Sequence, residues 1–474
     1  MARLKEIFSV DLRSLALFRI VLASAILINL ATLAPDIEAF YSDQGIFPRA
    51  PIVQITTWTP SIYFATGTVW GVAILFLIQA LFAILLLIGW RTRLTTFISW
   101  FFSISLQVRN YNITNGGDYL IGLMLFWGMF LPLGARFSFD RVQSSSKTKL
   151  PKTFCSVATV ALFVQFASLY LFGSLYKQDQ TWKDGTALYY SLSDEYFATS
   201  LGLFLSHFRT PLKILSYCVR PFEFFGPLLL IFPFFTTLFR MIGIAAFFIF
   251  QAALGTCISL MLFPFTSSIL LLPFVPSAFW DRLARLFKLK NSDSDLTETR
   301  MRPSWLAQTL CFFFLLYVIS WQISEWKPQF MRIPSFLQWL GPTLQISQFW
   351  GMYSETPKNS GWFAVIGKLQ GGSVVDLYRK GKPWREEKPS IPSQDHPSFR
   401  WRYLVSEFAY KDSYEPYLFY YANWLCTKWN AKQDGPNRLM ELEIVDIRLL
   451  IPAEKNSRQS PKEEKLSVFK HSCP

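Results

Sequence analysis

Residues 69–93 read VWGVAILFLIQALFAILLLIGWRTR. The first twenty-two of them carry no charge, and Gln79 is their one strongly polar group. A helix rises 1.5 Å per residue and the hydrocarbon core of a bilayer is about 30 Å thick, so about 20 such residues reach across it. Hydrocarbon offers backbone amides no partner, which makes the segment helical if it lies there. Arg91 and Arg93 follow at once, the kind of basic flank that stays on the cytoplasmic side during insertion.

Working outward, the same reading predicts spans at 15–34, 94–108, 119–135, 154–176, 214–235, 241–261, 262–279 and 305–323, nine with 69–90. The third and eighth are short, and Pro264, Pro273 and Pro276 predict a break in the eighth. Only 16% of the chain is charged, against about 25% in soluble domains, too little to cover a soluble surface. The deficit lies before residue 324, and the remainder has the composition of an average globular domain. The expected fold is an all-α polytopic membrane helix bundle of about nine transmembrane helices with a small C-terminal α+β extramembrane domain. Its parts are residues 1–325, 326–453, and a polar, mobile tail at 454–474.

The net charge of +14 comes from Lys and Arg in short loops between apolar runs, a pattern of orientation signals and lipid-headgroup contacts rather than of nucleic-acid binding. With the N-terminus inside, the cytoplasmic junctions hold Arg91 and Arg93, five basic residues from Arg136 to Lys152, and six from Arg282 to Arg302. That places the C-terminal domain outside. The basic N-terminus and first apolar run lack a small-residue cleavage site and read as an uncleaved first helix. Aromatics of the first external loop, Phe40, Tyr41, Trp58 and Tyr63, suit the membrane interface.

Cys155, Cys218, Cys257 and Cys311 fall in apolar runs, leaving Cys426 and Cys473 as the pair open to bridging. No zinc spacing occurs. In the tail, 362–378 predicts a hairpin about Gly371-Gly372, 398–430 one or two amphipathic helices, and 440–451 a strand.

Ionisable groups at membrane depth are the candidate site, because each costs about 2.5–3.5 kcal/mol unless paired or wet. Arg19 snorkels or pairs. Arg220 and Glu223, three residues apart on one helical face, form a salt bridge or line a wet cavity. The stretch from Asn110 to Asp118 either caps the fourth helix or opens a polar pocket, with Asn115 and Asp118 its polar groups. Lys177 is an interface anchor, or a base with a pKa lowered by desolvation.

These segments carry a resemblance. Leu17-Phe18-Arg19-Ile20, then Ala39-Phe40-Tyr41-Ser42-Asp43-Gln44-Gly45, then Asn115-Gly116-Gly117-Asp118-Tyr119-Leu120 with Leu131-Pro132-Leu133-Gly134-Ala135-Arg136, resemble the HTTM family, the membrane domain shared with vitamin K-dependent gamma-carboxylase. The stretch from Lys177 to Tyr189, with Trp182 and Asp184-Gly185, looks like the segment of the carboxylase's catalytic lysine. Glu223 with Gly226-Pro227-Leu228 matches a further element, and Phe349 to Tyr353 resembles the extramembrane part of bacterial members. The resemblance implies that Lys177 is the base toward a quinone-like ligand. Histidines that it also implies fall at Gly117 and Gln251, and the external domain is small, so gamma-carboxylation itself is not expected.

The leading functional expectation is an external-side intramembrane pocket of Lys177, Asn115, Asp118, Arg220, Glu223 and Gln251 that takes a quinone or other lipid-like ligand, in a plasma membrane. The alternative is a non-catalytic anchor whose external domain binds a partner. A transporter would need a continuous polar path, and the sequence has neither that nor an internal repeat.

Overall fold

The computed structural model describes residues 2–55, 59–144, 149–288, 301, 303–379, 381–389, 392, 396, 398–410, 415–452 and 463–474. Trp58, Lys147, Lys290, Arg300 and Arg302 lie outside them.

After a helical turn over Ala2–Phe8, β1 (Val10–Asp11) pairs antiparallel with β2 (Thr153–Phe154). Between and after them come α1 (Leu12–Leu33), α2 (Val69–Ile88), α3 (Thr92–Arg109), α4 (Gly116–Gly128), α5 (Val157–Tyr176), α6 (Arg209–Phe225) and α7 (Thr236–Cys257). Then follow α8 (Phe263–Ile269), α9 (Ser277–Leu286) and α10 (Trp305–Trp326). Among the described residues six helices are long and apolar enough to cross a membrane, and a seventh span results if the bent pair Phe263–Phe274 and Ser277–Leu286 counts as one. All nine predicted segments are largely helical, but α3 is rich in Ser and Thr and α4 has 13 residues.

The bent pair turns by 90°, at the position where Pro273 and Pro276 remove backbone donors. Its first arm begins at Phe263, packed on Gly116 and Gly117, and reaches the bend at Val275, whose carbonyl accepts from Ser14 Oγ at 2.7 Å. That arm therefore runs from the α4 start to the α1 start, and Ser277–Leu286 turns off from there. Around it α2, α6, α7 and α10 present exposed Leu77, Phe225, Ile249 and Phe312, outward apolar surface that a soluble monomer rarely shows.

The two ends of the bundle differ. At the amino-terminal end, Asp281 binds Arg13 at 3.0 Å and Lys152 at 2.7 Å. Arg19 does not snorkel. It is fully buried and donates to the carbonyls of Leu133 and Phe137, which fastens that turn to α1. At the opposite end sits the C-terminal domain, with β3 (Asn359–Leu369), β4 (Val374–Asp376), β5 (Lys382–Pro383), α11 (Phe399–Tyr410), α12 (Glu415–Asn430), β6 (Leu439–Leu450) and β7 (Glu463–Ser472). The sheet order is β5-β4-β3-β6-β7, antiparallel throughout. The predicted hairpin is present, and Gly372 at φ 85° takes the left-handed position of its turn.

The last segment is a correction. Residues 463–472, expected as mobile tail, pair along β6, and Cys473 is bonded to Cys426. Residues 453–462 of that expectation lie outside the described residues.

Candidate functional site

α5 ends at Lys177, whose backbone turns away while its side chain stays inside, 5% exposed. Its Nζ donates to Glu223 Oε2 at 2.7 Å, to Oε1 at 3.0 Å and to the Gly173 carbonyl at 3.3 Å. The Trp182 ring lies 5.3 Å below the ammonium. All three donors of the ammonium thus have acceptors, which offsets the desolvation of a buried ion pair. Glu223, 7% exposed on α6, pairs with Lys177 rather than with Arg220, the partner expected from spacing. Arg220 stays half-buried one turn away, its carbonyl accepting from Ser174 Oγ at 3.0 Å.

Gln251 faces the pair from α7. Its Nε2 donates to the Tyr170 hydroxyl at 2.7 Å, and its Oε1, buried, has no hydrogen-bond partner among the described residues. These groups line a pocket of about 80 Å³, room for a few waters. Val219 and Phe250, on the same walls, are half-buried at the outer surface of α6 and α7.

The C-terminal domain closes the pocket. Trp350, Met352 and Tyr353 form one wall, and Trp182 Nε1 donates to the Tyr353 carbonyl at 2.8 Å. Gln348, just before them, is buried between α5 and α10. It exchanges hydrogen bonds with Gln165 at 2.7 and 2.9 Å, and its Oε1 also accepts from Gln322 and Trp350. The sequence offered Phe349 to Tyr353 only as a likeness, not as site residues.

Asn115 and Asp118 do not join Lys177. Asn115 caps α4, accepting from Gly117 N at 2.8 Å, while Asp118 Oδ2 accepts from Asn115 N at 3.0 Å, a capping box. The Asp118 carboxylate then receives Arg400 of α11 through both guanidinium Nη atoms at 3.0 Å and Asn29 Nδ2 at 2.9 Å. Arg400 adds bonds to the Asn29 side chain at 2.8 Å and the Ile113 carbonyl at 2.6 Å. This cluster leaves only about 20 Å³ of free space. The expected single pocket is thus two places, a tightly packed joint at Asp118, where Arg400 Nε and Gln107 Oε1 stay unpartnered among the described residues, and an open one at Lys177. No sequence signal marked Arg400, whose partner stands 282 residues away.

A larger chamber of about 830 Å³ adjoins the Lys177 pocket across Leu260, Phe263, Trp350, Met352 and Tyr353. Asn115 lines it, as does Asp194, a residue that the sequence reading passed over. Asp194 is 4% exposed, and burial pushes its carboxyl up to about 7 despite the nearby Arg402.

The profile of the HTTM domain family matches residues 8–280, more than half of the 474. An uncharacterized protein YitO of Bacillus subtilis (strain 168) is 30% identical over 112 residues, which are 23% of this chain and 35% of that relative. The chain thus spans about a third of the relative's length. No solved structure matches. The matched region runs from the residues before β1 into the first turn of α9 and holds Lys177, Glu223, Gln251 and Asp118, so the membrane side of both the open pocket and the joint lies inside it. On that match the chain belongs to the HTTM domain family.

Proposed function

We propose that this multi-pass membrane protein holds a quinone-like or other lipid-like ligand at the Lys177–Glu223 pair, with the C-terminal domain as the roof of the site. The observation that carries the reading is a buried ammonium and carboxylate at 2.7 Å in a pocket that also has an unpaired amide oxygen, Gln251 Oε1. A structural ion pair needs neither. The pocket is too small for a whole quinone. Its walls fit the polar edge of a ring, with the apolar body in lipid between Val219 and Phe250.

A bound quinone would supply oxygen atoms that gain or lose protons. The chain supplies the rest: Lys177 Nζ donates, Glu223 takes the proton that Lys177 gives up, and Gln251 Oε1 accepts from a hydroxyl. Lys177 is then a base once Glu223 carries its proton. Gln251 stands where the carboxylase resemblance implies a histidine, and its amide nitrogen is committed to Tyr170. Gamma-carboxylation is therefore not part of the proposal.

Nine crossings, an internal N-terminus, an external C-terminal domain and a plasma-membrane location complete the reading. Support comes from the bent pair's course between the two ends of the bundle and from the basic residues near Arg13 and Lys152 at one end. At the other end the Cys426–Cys473 bridge suits an oxidising compartment.

The test is mass spectrometry of lipids and quinones extracted from the purified protein and from Lys177→Ala. One species retained by the parent and lost in the variant is expected. Bulk phospholipid alone in both would favour a non-catalytic anchor.

A further inference from the structure

The chamber beside the Lys177 pocket has a chemistry of its own. Its volume of about 830 Å³ lies within the 300–1,000 Å³ of small-molecule sites. Both halves of the protein build it: Tyr119 and Trp321 come from the bundle, Phe399 and Tyr403 from α11. Asp194, Glu325, Glu355 and Glu407 stand on its walls, and among the described residues no Lys or Arg does. Acidic walls alone would be a solvated surface.

Two further observations point to a ligand. Asp194 Oδ1 accepts from Tyr196 N at 3.1 Å, whereas Oδ2, on a residue 4% exposed, has no hydrogen-bond partner among the described residues and borders the chamber. That oxygen opens on the chamber, where a ligand can reach it. The aromatic walls also already hold a cation. Arg402, just behind them, places its guanidinium 5.0 Å from the Phe399 ring and 5.5 Å from the Phe197 ring. Ring faces attract cations, and most strongly where water is excluded.

We propose that the chamber binds an ammonium group carried on an apolar body, with Asp194 as the counter-ion and the aromatic walls around the charge. This is a second site, separate from that of Lys177. It disfavours anionic molecules, free carboxylates included, which the four wall carboxylates repel. The ammonium can come from a lipid headgroup or from a soluble amine.

The test uses full-length protein in nanodiscs and isothermal titration. Choline is compared with its neutral isostere 3,3-dimethylbutanol and with benzoate, first in phosphatidylglycerol discs. Choline should bind at least tenfold more tightly than either, and Asp194→Asn and Tyr403→Leu should each weaken it at least tenfold. Asp194→Asn should still retain the ligand extracted from the Lys177 pocket, which shows that it is folded and separates this proposal from that one. Phosphatidylcholine discs tell the sources apart. Competition with choline there assigns a lipid headgroup, and undiminished choline binding assigns a soluble amine. Equal binding of choline and the alcohol, preference for benzoate, or full choline affinity in both variants overturns the proposal.

Discussion

Two buried charge clusters sit at the same end of the bundle and differ in what surrounds them. At Asp118, both carboxylate oxygens and both Arg400 Nη atoms are engaged, Asn29 closes the ring, and almost no space remains. At Lys177 the pair is shorter, 2.7 Å against 3.0 Å, yet it faces free volume, an unpaired amide oxygen and a wall lent by another domain. Burial and charge are common to both. Each also leaves a buried amide oxygen unpartnered, Gln107 Oε1 at the joint and Gln251 Oε1 at Lys177, so free volume beside that oxygen is what distinguishes a site from a joint.

The sharpest way to break the comparison is at the joint. Arg400→Ala strands Asp118 in a dry place and should cost about 3–5 kcal/mol, read as a lowered denaturation midpoint and faster proteolysis of the C-terminal domain. Adding Asp118→Asn should recover part of the loss, because no charge is then stranded. A full-sized loss in Lys177→Ala and none in Arg400→Ala would reverse the assignment.

Next comes the roof's own stability. Cys473→Ser opens the bridge across a sequence separation of 47 and should cost about 2–4 kcal/mol, seen as early exchange of β7 amides. The Lys177 ligand should stay bound, since Gln348 and Arg400, not β7, tie the roof down.

Asp194 sharpens the comparison through pH. Burial raises its folded pKa to about 7, against the Tyr196 backbone N–H and Arg402, which lower it, and Glu195 adds a small rise. The unfolded carboxyl titrates near 3.8, so between the two values the folded state holds the extra proton. Stability should therefore fall as pH rises from about 4 to 7, on the order of 3 kcal/mol. A chemical-denaturation series in Asp194→Asn should be flat over the same range.

The smallest stability effect is expected at the site. Lys177→Met with Glu223→Leu replaces a buried pair by apolar groups and should leave the midpoint within about 1 kcal/mol, since such swaps are often neutral or stabilising. Ligand retention should nonetheless be lost. At Arg400 and Asp118 the same exchange would remove the cap of α4 and the link to Asn29, and should destabilise.

The helices were legible because apolar length is a local signal: α2 could be read from Val69 to Ile88 with no reference to its neighbours. The C-terminal strand β7 was not, because an edge strand faces water and its Glu, Lys and Ser residues carry no core pattern. Lys177 and Glu223 were both marked as costly charges, but spacing on one helix offered Arg220 as the partner, and the tertiary fold brought Lys177 closer. Arg400 was hidden for the same reason. Its helix reads as a surface helix of a soluble domain, and only docking turns that face inward.

A cryo-electron-microscopy map of the protein extracted with its native lipid tests the central claim most directly. Non-protein density is expected between α6 and α7, ending within hydrogen-bond distance of Lys177 Nζ under Trp350 and Tyr353. A closed, empty pocket with Lys177 bound only to Glu223, and density confined to the outer surface of the helices, would contradict it.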